Sequence, residues 1–81
     1  MKATVTVELK SAVLDPQGKA IEHSLHALGF NGVEDVRVGK LFRITLHENG
    51  SREEIETQLR EMCEKLLANP VVENFSYTFH D

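Results

Sequence analysis

Residues 2–10 alternate strictly between apolar and polar side chains. Such a period-2 pattern is typical of a strand that buries one face and exposes the other. The apolar positions are Ala3, Val5, Val7 and Leu9, and the polar ones are Lys2, Thr4, Thr6, Glu8 and Lys10. Because a strand with one apolar face is not stable alone in water, the rest of the 81 residues must supply both its strand partners and a cover for that face.

A helix is predicted to follow the first strand. Asp15 can accept hydrogen bonds from the free amides of a helix start, and Pro16 suits the first helical position. Apolar side chains then recur at helical spacing, and a glycine, Gly29, stands where a left-handed C-cap belongs. The apolar stripe consists of Ile21, Leu25 and Leu28. The pattern predicts a helix of about 13 residues.

Residues 33–47 allow two interpretations. Apolar side chains share even positions here: Val36, Val38, Phe42, Ile44 and Leu46. A two-residue turn at Gly39-Lys40 would pair Val36 with Arg43 and mix apolar with charged groups on one face, so parity argues against it. A three-residue loop would keep the parity and leave a wider hairpin open. We favour the alternative, one long strand bent near Gly39, which would invite pairing from a second chain.

A second helix and a last strand complete the chain. Asn49-Gly50 ends the middle segment, Ser51 and Glu54 form a capping box, and the helix stops at Asn69-Pro70. The helix carries an apolar stripe of Ile55, Leu59, Met62 and Leu66. It also carries two i,i+4 ion pairs, Glu56 with Arg60 and Glu61 with Lys65. In the strand that follows, one face is formed by Val71, Phe75, Tyr77 and Phe79.

The order of elements predicts an α+β fold. It is β-α-β-α-β, or β-α-β-β-α-β if the middle segment folds back. Either order predicts a two-layer sandwich, in which a mostly antiparallel sheet of three or four strands carries both helices on one face. The whole chain, residues 1–81, is expected to be a single domain.

Composition limits what stabilises so small a core and where the protein works. The lone cysteine, Cys63, excludes an intramolecular disulfide and a thiolate zinc cluster from one chain, so contact with other subunits is the expected supplement. The net charge of −4 and the lack of a basic face argue against nucleic acid, and the apolar runs are too short to span a membrane. We expect a cytoplasmic protein.

The search for chemistry gives no catalytic set. His23 and His26 lie three apart on the first helix, a metal-ligand spacing, but without thiol partners they are better interpreted as exposed or interface residues. Cys63 lies at the edge of an apolar stripe and is better interpreted as a packing residue than as a nucleophile. Gly39-Lys40 lacks the rest of a phosphate-binding loop. By exclusion, the chain is a binding or assembly domain without catalytic, cofactor or metal sites.

Three stretches of the chain resemble one family. They are residues 9–18 (LKSAVLDPQG), 33–40 (VEDVRVGK) and 62–71 (MCEKLLANPV). In this order they resemble PurS, the small subunit of bacterial and archaeal phosphoribosylformylglycinamidine synthase. The resemblance implies a homodimer, or a higher oligomer, that bridges a glutaminase and an ATP-dependent synthetase subunit in purine biosynthesis. It also implies that ATP and Mg²⁺ serve the complex and that this chain binds neither.

A contact surface for those partners follows as a hypothesis. The residues are Asp15, Pro16, Gln17, Gly18, Arg37, Gly39 and Lys40. Lys40 stands in an apolar row, where its ammonium needs water or an acidic partner, so the simpler alternative is that it only extends to solvent at a bend. The next candidate is the helix face with His23 and His26. The rival functions are a ligand-sensing regulatory domain and a stand-alone enzyme that uses His23 or Cys63.

Overall fold

A computed structural model describes residues 1–47 and 50–80 of the chain. Its elements follow the predicted order. They are β1 (Lys2–Leu9), α1 (Pro16–Ala27), β2 (Gly39–Thr45), α2 (Arg52–Met62), which continues as a π-helical segment (Cys63–Leu67), and β3 (Glu73–His80). Asn49, predicted to end the middle segment, lies outside the described residues. No helix in the described ranges is long and apolar enough to cross a membrane.

The three strands form one antiparallel sheet in the order β2-β1-β3. β1 is therefore the central strand, and Val5 lies opposite Phe42 on one side and Tyr77 on the other. The α+β prediction is confirmed in its three-stranded form. The alternation of β1 placed its apolar face correctly, because Ala3, Val5 and Val7 are all fully buried.

The middle segment is neither a hairpin nor one long strand. β2 begins only at Gly39, opposite Glu8, and residues 33–38 belong to no strand. β1 ends at Leu9, one residue beyond this pair, so it offers no partner to residues 33–37. Ahead of Gly39, the amide of Val38 donates instead to Asp15 Oδ2 at 2.8 Å. The hairpin and the long strand were thus both wrong.

The core lies between the sheet and α2. Leu59 and Cys63 are fully buried against the Ala3, Val5 and Val7 face. Partly buried side chains from the neighbouring strands and the helix surround them: Phe42, Ile44, Met62, Leu67, Phe75, Tyr77 and Phe79. The aromatic alternation of the last strand therefore predicted its core face correctly. Val71, predicted to share that face, precedes β3 and is exposed.

The π-helical segment changes which residues of the second helix are buried. The amide of Ala68 donates to the Cys63 carbonyl at 2.9 Å, an i→i+5 bond that widens the last turn. The wider turn leaves Cys63 buried and Leu66 82% exposed. Leu66 was therefore wrongly predicted to belong to the apolar stripe, since the prediction assumed 3.6 residues per turn throughout.

The helix caps follow the sequence signals. Asp15 Oδ1 accepts from the Gly18 amide and Ser51 Oγ from the Glu54 amide, at 2.9 and 3.2 Å. Gly29 adopts the left-handed conformation, with φ of 99°. Both predicted ion pairs of the second helix form, at 3.8 Å for Glu56–Arg60 and 3.3 Å for Glu61–Lys65.

The first helix lies apart from the core. Its buried residues are Gly18 and Glu22, whereas Ile21 is exposed and Leu28 is 73% exposed. The predicted apolar stripe exists, but the described chain covers only Leu25, in part, and leaves Ile21 and Leu28 exposed. Consistent with this, the radius of gyration is 16.4 Å, against about 12 Å for a compact chain of this length.

Tyr77 fixes α2 to the sheet through its hydroxyl. The hydroxyl donates to Glu56 Oε1 at 2.8 Å and accepts from Arg60 at 2.9 Å. The phenol thus keeps its ring in the core and its polar end paired with the helix.

We expect Tyr77→Phe to lower the free energy of unfolding by about 1 kcal/mol, because it removes these hydrogen bonds and keeps the ring. Urea unfolding measures the change. Glu61→Gln, which breaks only an exposed pair on the same helix, is the control and should change it by less than about 0.5 kcal/mol. Equal effects of the two variants would contradict this role for Tyr77.

Candidate functional site

The residues predicted to form a contact surface come together where α1 begins and β2 begins. Two glycines make the close approach possible. A Cβ at Gly18 would overlap the Val36 carbonyl oxygen, and one at Gly39 would lie 2.8 Å from the Val7 carbonyl oxygen. The start of α1 therefore lies against the chain that leads into β2, and the start of β2 lies close to β1.

Asp15 joins the two segments. Its Oδ1 accepts from the Gly18 amide and its Oδ2 from the Val38 amide. The side chain is almost fully buried, with the residue 6% exposed. The Val38 and Gly18 hydrogen bonds, with help from the Arg37 charge, hold the pKa of this carboxyl below its usual value, because all three favour the ionised form.

Arg37 fixes the turn between β1 and α1. Its guanidinium donates to the carbonyl oxygens of Lys10 and Val13, at 3.0 and 2.8 Å. The sequence analysis predicted that Arg37 contacts a partner subunit, whereas these two hydrogen bonds lie within the chain. Arg37 thus holds the contact surface in shape, and the exposed part of its side chain can still contact a partner.

Lys40 stands on the core face of the sheet, in the row of Val7 and Phe75. Its ammonium lies 3.8 Å from a carboxylate oxygen of Glu73, and its side chain is 63% exposed. It therefore reaches both water and an acidic partner, the two conditions that make a lysine in an apolar row acceptable.

A hollow opens beside these groups, at the end of the sheet that α2 leaves uncovered. Its volume is about 460 Å³. It is lined by Val7, Leu9, Val38, Gly39, Asp15, Gln17, Lys40 and Glu73. An apolar floor with a polar rim is suited to receiving a side chain from another protein. The sequence analysis did not include Glu73 or the apolar floor of the hollow in the contact surface. Leu9 could have been found, because it is the last apolar position of the alternating pattern in residues 2–10.

The other candidate residues take structural positions. His26 Nε2–H donates to the Val33 carbonyl oxygen at 2.7 Å, and His23 is exposed. Burial and the nearby Glu64 carboxylate raise the pKa of the Cys63 thiol, which therefore stays protonated and unreactive. No cluster of three or more potential metal ligands occurs within residues 1–47 and 50–80.

Comparison with known proteins agrees with the resemblance seen in the sequence. Residues 2–81 match the model of the PurS family, described as phosphoribosylformylglycinamidine (FGAM) synthase. The PurS subunit of Archaeoglobus fulgidus is 48% identical over the full length of both chains, and that of Bacillus subtilis is 47% identical over 94% of this chain and 88% of its own.

Solved structures give the same result. The structure of B. subtilis PurS has a TM-score of 0.90 at 44% identity, over 99% of this chain and 98% of its own. A chain in the structure of PurLQS from Thermotoga maritima has a TM-score of 0.84 at 32% identity, over 95% of this chain and 93% of its own.

We expect Asp15→Asn to destabilise the fold near neutral pH. Asparagine can still cap the helix, but its amide group cannot accept from both Gly18 and Val38. Because the folded pKa of Asp15 is lowered, the carboxylate stabilises above about pH 4, the unfolded value, and the effect is lost as pH falls through the folded pKa.

The free energies of unfolding of parent and variant should therefore differ from pH 5 to 7 and converge only as the pH falls from about 4 through the lower folded pKa of Asp15. Urea unfolding at each pH is the measurement. Asp35→Asn removes an exposed carboxylate nearby and is the matched control. A pH-independent difference, or the same profile for the control, would contradict the role given to Asp15.

Proposed function

This chain belongs to the PurS family of phosphoribosylformylglycinamidine synthase, and we propose that it is the non-catalytic small subunit of that enzyme complex. It bridges a glutaminase and an ATP-dependent synthetase subunit, so that ammonia from glutamine reaches formylglycinamide ribonucleotide in purine biosynthesis. The observation that carries the proposal is the full-length match to PurS subunits. One structural neighbour of this chain comes from the structure of PurLQS.

The groups of the chain support a binding role. Its cysteine is buried with a raised thiol pKa, and its hollow presents an ion pair and an amide over an apolar floor. Such a surface binds and orients, whereas ATP and Mg²⁺ would be held by the synthetase subunit. We propose that the chain functions in the cytoplasm. The rival proposal of a ligand-sensing regulatory domain has no comparable support.

Self-association is the first part of the proposal. Ile21, Leu25 and Leu28 form an apolar stripe of which the described chain covers only Leu25, in part, and the core face of the sheet ends in an open hollow. Burying such surface is worth roughly 25 cal/mol per Å². A second copy supplies matching surfaces, so we expect at least a homodimer.

Replacing Leu28 with lysine should shift the protein toward the monomer, because a charge would then have to enter the interface. Sedimentation velocity at micromolar concentration measures the shift, and circular dichroism checks that the helix persists. His23→Lys, an exposed change on the same helix, is the control. A monomeric parent chain would refute self-association, and a dimeric Leu28→Lys chain would place the interface elsewhere.

The partner surface is the second part. It comprises the turn Asp15, Pro16, Gln17 and Gly18 together with Arg37, Gly39 and Lys40. Arg37 and Asp15 hold the shape, so Lys40 and Gln17, which line the rim of the hollow, are the residues free to meet a partner.

We expect Lys40→Ala and Gln17→Ala to leave the fold intact and to weaken assembly with the glutaminase and synthetase subunits, with glutamine-dependent synthesis falling in parallel. Gel filtration of the mixed subunits and a synthesis assay measure both effects. Lys65→Ala, which breaks a comparable exposed ion pair on α2, is the control. Should both rim variants assemble like the parent, the α1 face with His23 and His26 becomes the candidate.

A further inference from the structure

The chain between β1 and β2 forms a body of its own, here called the arm. The arm comprises residues 11–37: it leaves the sheet after Lys10 and rejoins it at Val38, the residue before β2. Within the described part of the chain, the core residues come from the three strands, from α2 and from the turn that follows it, and none lies in the arm. No shared core therefore holds the arm against the sheet.

The arm is tied together internally at both ends of α1. At the start of the helix, Gly18 lies against the Val36 carbonyl oxygen, so closely that a side chain at Gly18 would overlap it. At the end of the helix, His26 Nε2–H donates to the Val33 carbonyl oxygen at 2.7 Å. Because both ends of α1 contact the segment that returns to the sheet, the helix and this segment move as one piece.

The hydrogen bonds that leave the arm end at the two residues that flank it. The Val13 amide and the Arg37 guanidinium both donate to the Lys10 carbonyl oxygen, at 2.9 and 3.0 Å. Asp15 Oδ2 accepts from the Val38 amide at 2.8 Å. Among the described residues, these are the hydrogen bonds that join the arm to the rest of the chain. They brace the two points of attachment and do not tie α1 to the face of the sheet.

The hollow of about 460 Å³ lies between the arm and the sheet. Asp15 and Gln17 line it from the arm, and Lys40 and Glu73 line it from the strands. Its walls thus belong to two bodies, so a rotation of the arm changes the width of the hollow. α1 has 12 residues and is about 18 Å long. A small rotation at the points of attachment therefore becomes a large displacement at the far end of the helix.

We propose that the arm is a hinged lid of the hollow, which turns as one body about Lys10 and Val38 and closes on the segment of a larger subunit that enters the hollow. The inference rests on the proposed function, because the hollow belongs to the proposed partner surface. Hinges in proteins are commonly a few residues at the ends of elements, which absorb the change while the packed bodies stay rigid. Because Ile21 and Leu28 are exposed on the arm, closure also sets the direction in which the apolar stripe faces a second copy.

The test measures distances between two spin labels by double electron–electron resonance. One pair joins the arm to α2, through Ser24→Cys and Lys65→Cys, and the control pair joins β3 to α2, through Ser76→Cys and Lys65→Cys. All three positions are exposed, whereas the native Cys63 is fully buried and reacts slowly with the label. An excess of unlabelled chain ensures that each oligomer contains one labelled copy.

We expect the arm pair in the free chain to give a distance distribution at least about twice as wide as that of the control pair, because only the arm pair spans the hinge. Binding to the larger subunits should narrow the arm distribution to the width of the control. Arg37→Ala, which removes one brace at Lys10, should widen the arm distribution of the free chain and leave the control distribution and the circular dichroism unchanged.

Three results would overturn the inference. The first is an arm distribution as narrow as the control in the free chain, which excludes the hinge whether or not the larger subunits bind. The second is an arm distribution that stays wide in a complex that has formed, which excludes closure on the partner. The third is narrowing by unlabelled chain alone, which assigns closure to a second copy. A parent that binds neither larger subunit refutes the proposed function instead, and the width in the free chain still decides whether the hinge exists.

Discussion

The carboxylate of Asp15 is the contact on which the proposed partner surface depends. It accepts one amide at the start of α1 and another just before β2. These two segments are more than twenty residues apart, and Gly18 permits the contact because a side chain there would strike the Val36 carbonyl. Arg37 fixes the turn on the other side through the carbonyls of Lys10 and Val13. The shape of the hollow beside Lys40 follows from this short network.

The network also explains why the chain is elongated. Once Asp15 holds the start of α1 near the end of the sheet, the helix lies beyond the core that α2 and the sheet form. Ile21 and Leu28 of its apolar stripe then stay exposed to water, at an energetic cost that a core of this size can ill support. Self-association as proposed above would resolve the conflict, because a second copy would bury the surface that destabilises the single chain.

The two faces of the sheet differ in their side chains. One face carries the core, and its uncovered end carries the hollow with Lys40 and Glu73. The other face is polar, with basic groups at one end and Leu41 at its centre. Because side chains alternate between faces along each strand, three short strands present two surfaces of unrelated chemistry.

The sequence by itself determined the features that depend on neighbours within about four positions. These are the core face of β1, the caps at Asp15 and Ser51, the left-handed Gly29 and the ion pairs along α2. It also grouped the Asp15–Gly18 turn and the Arg37–Lys40 segment in one hypothesis for the contact surface, because both carry recognisable residues.

Tertiary structure decided what distant residues control. β2 begins at Gly39 because the Val38 amide donates to Asp15 rather than to β1, and the π-helical segment leaves Leu66 exposed. No local pattern reports these, since each depends on a partner far along the chain. Whether the stripe of α1 is covered is a further case: periodicity predicts an apolar face, and only the positions of the other elements decide whether this chain or another one buries it.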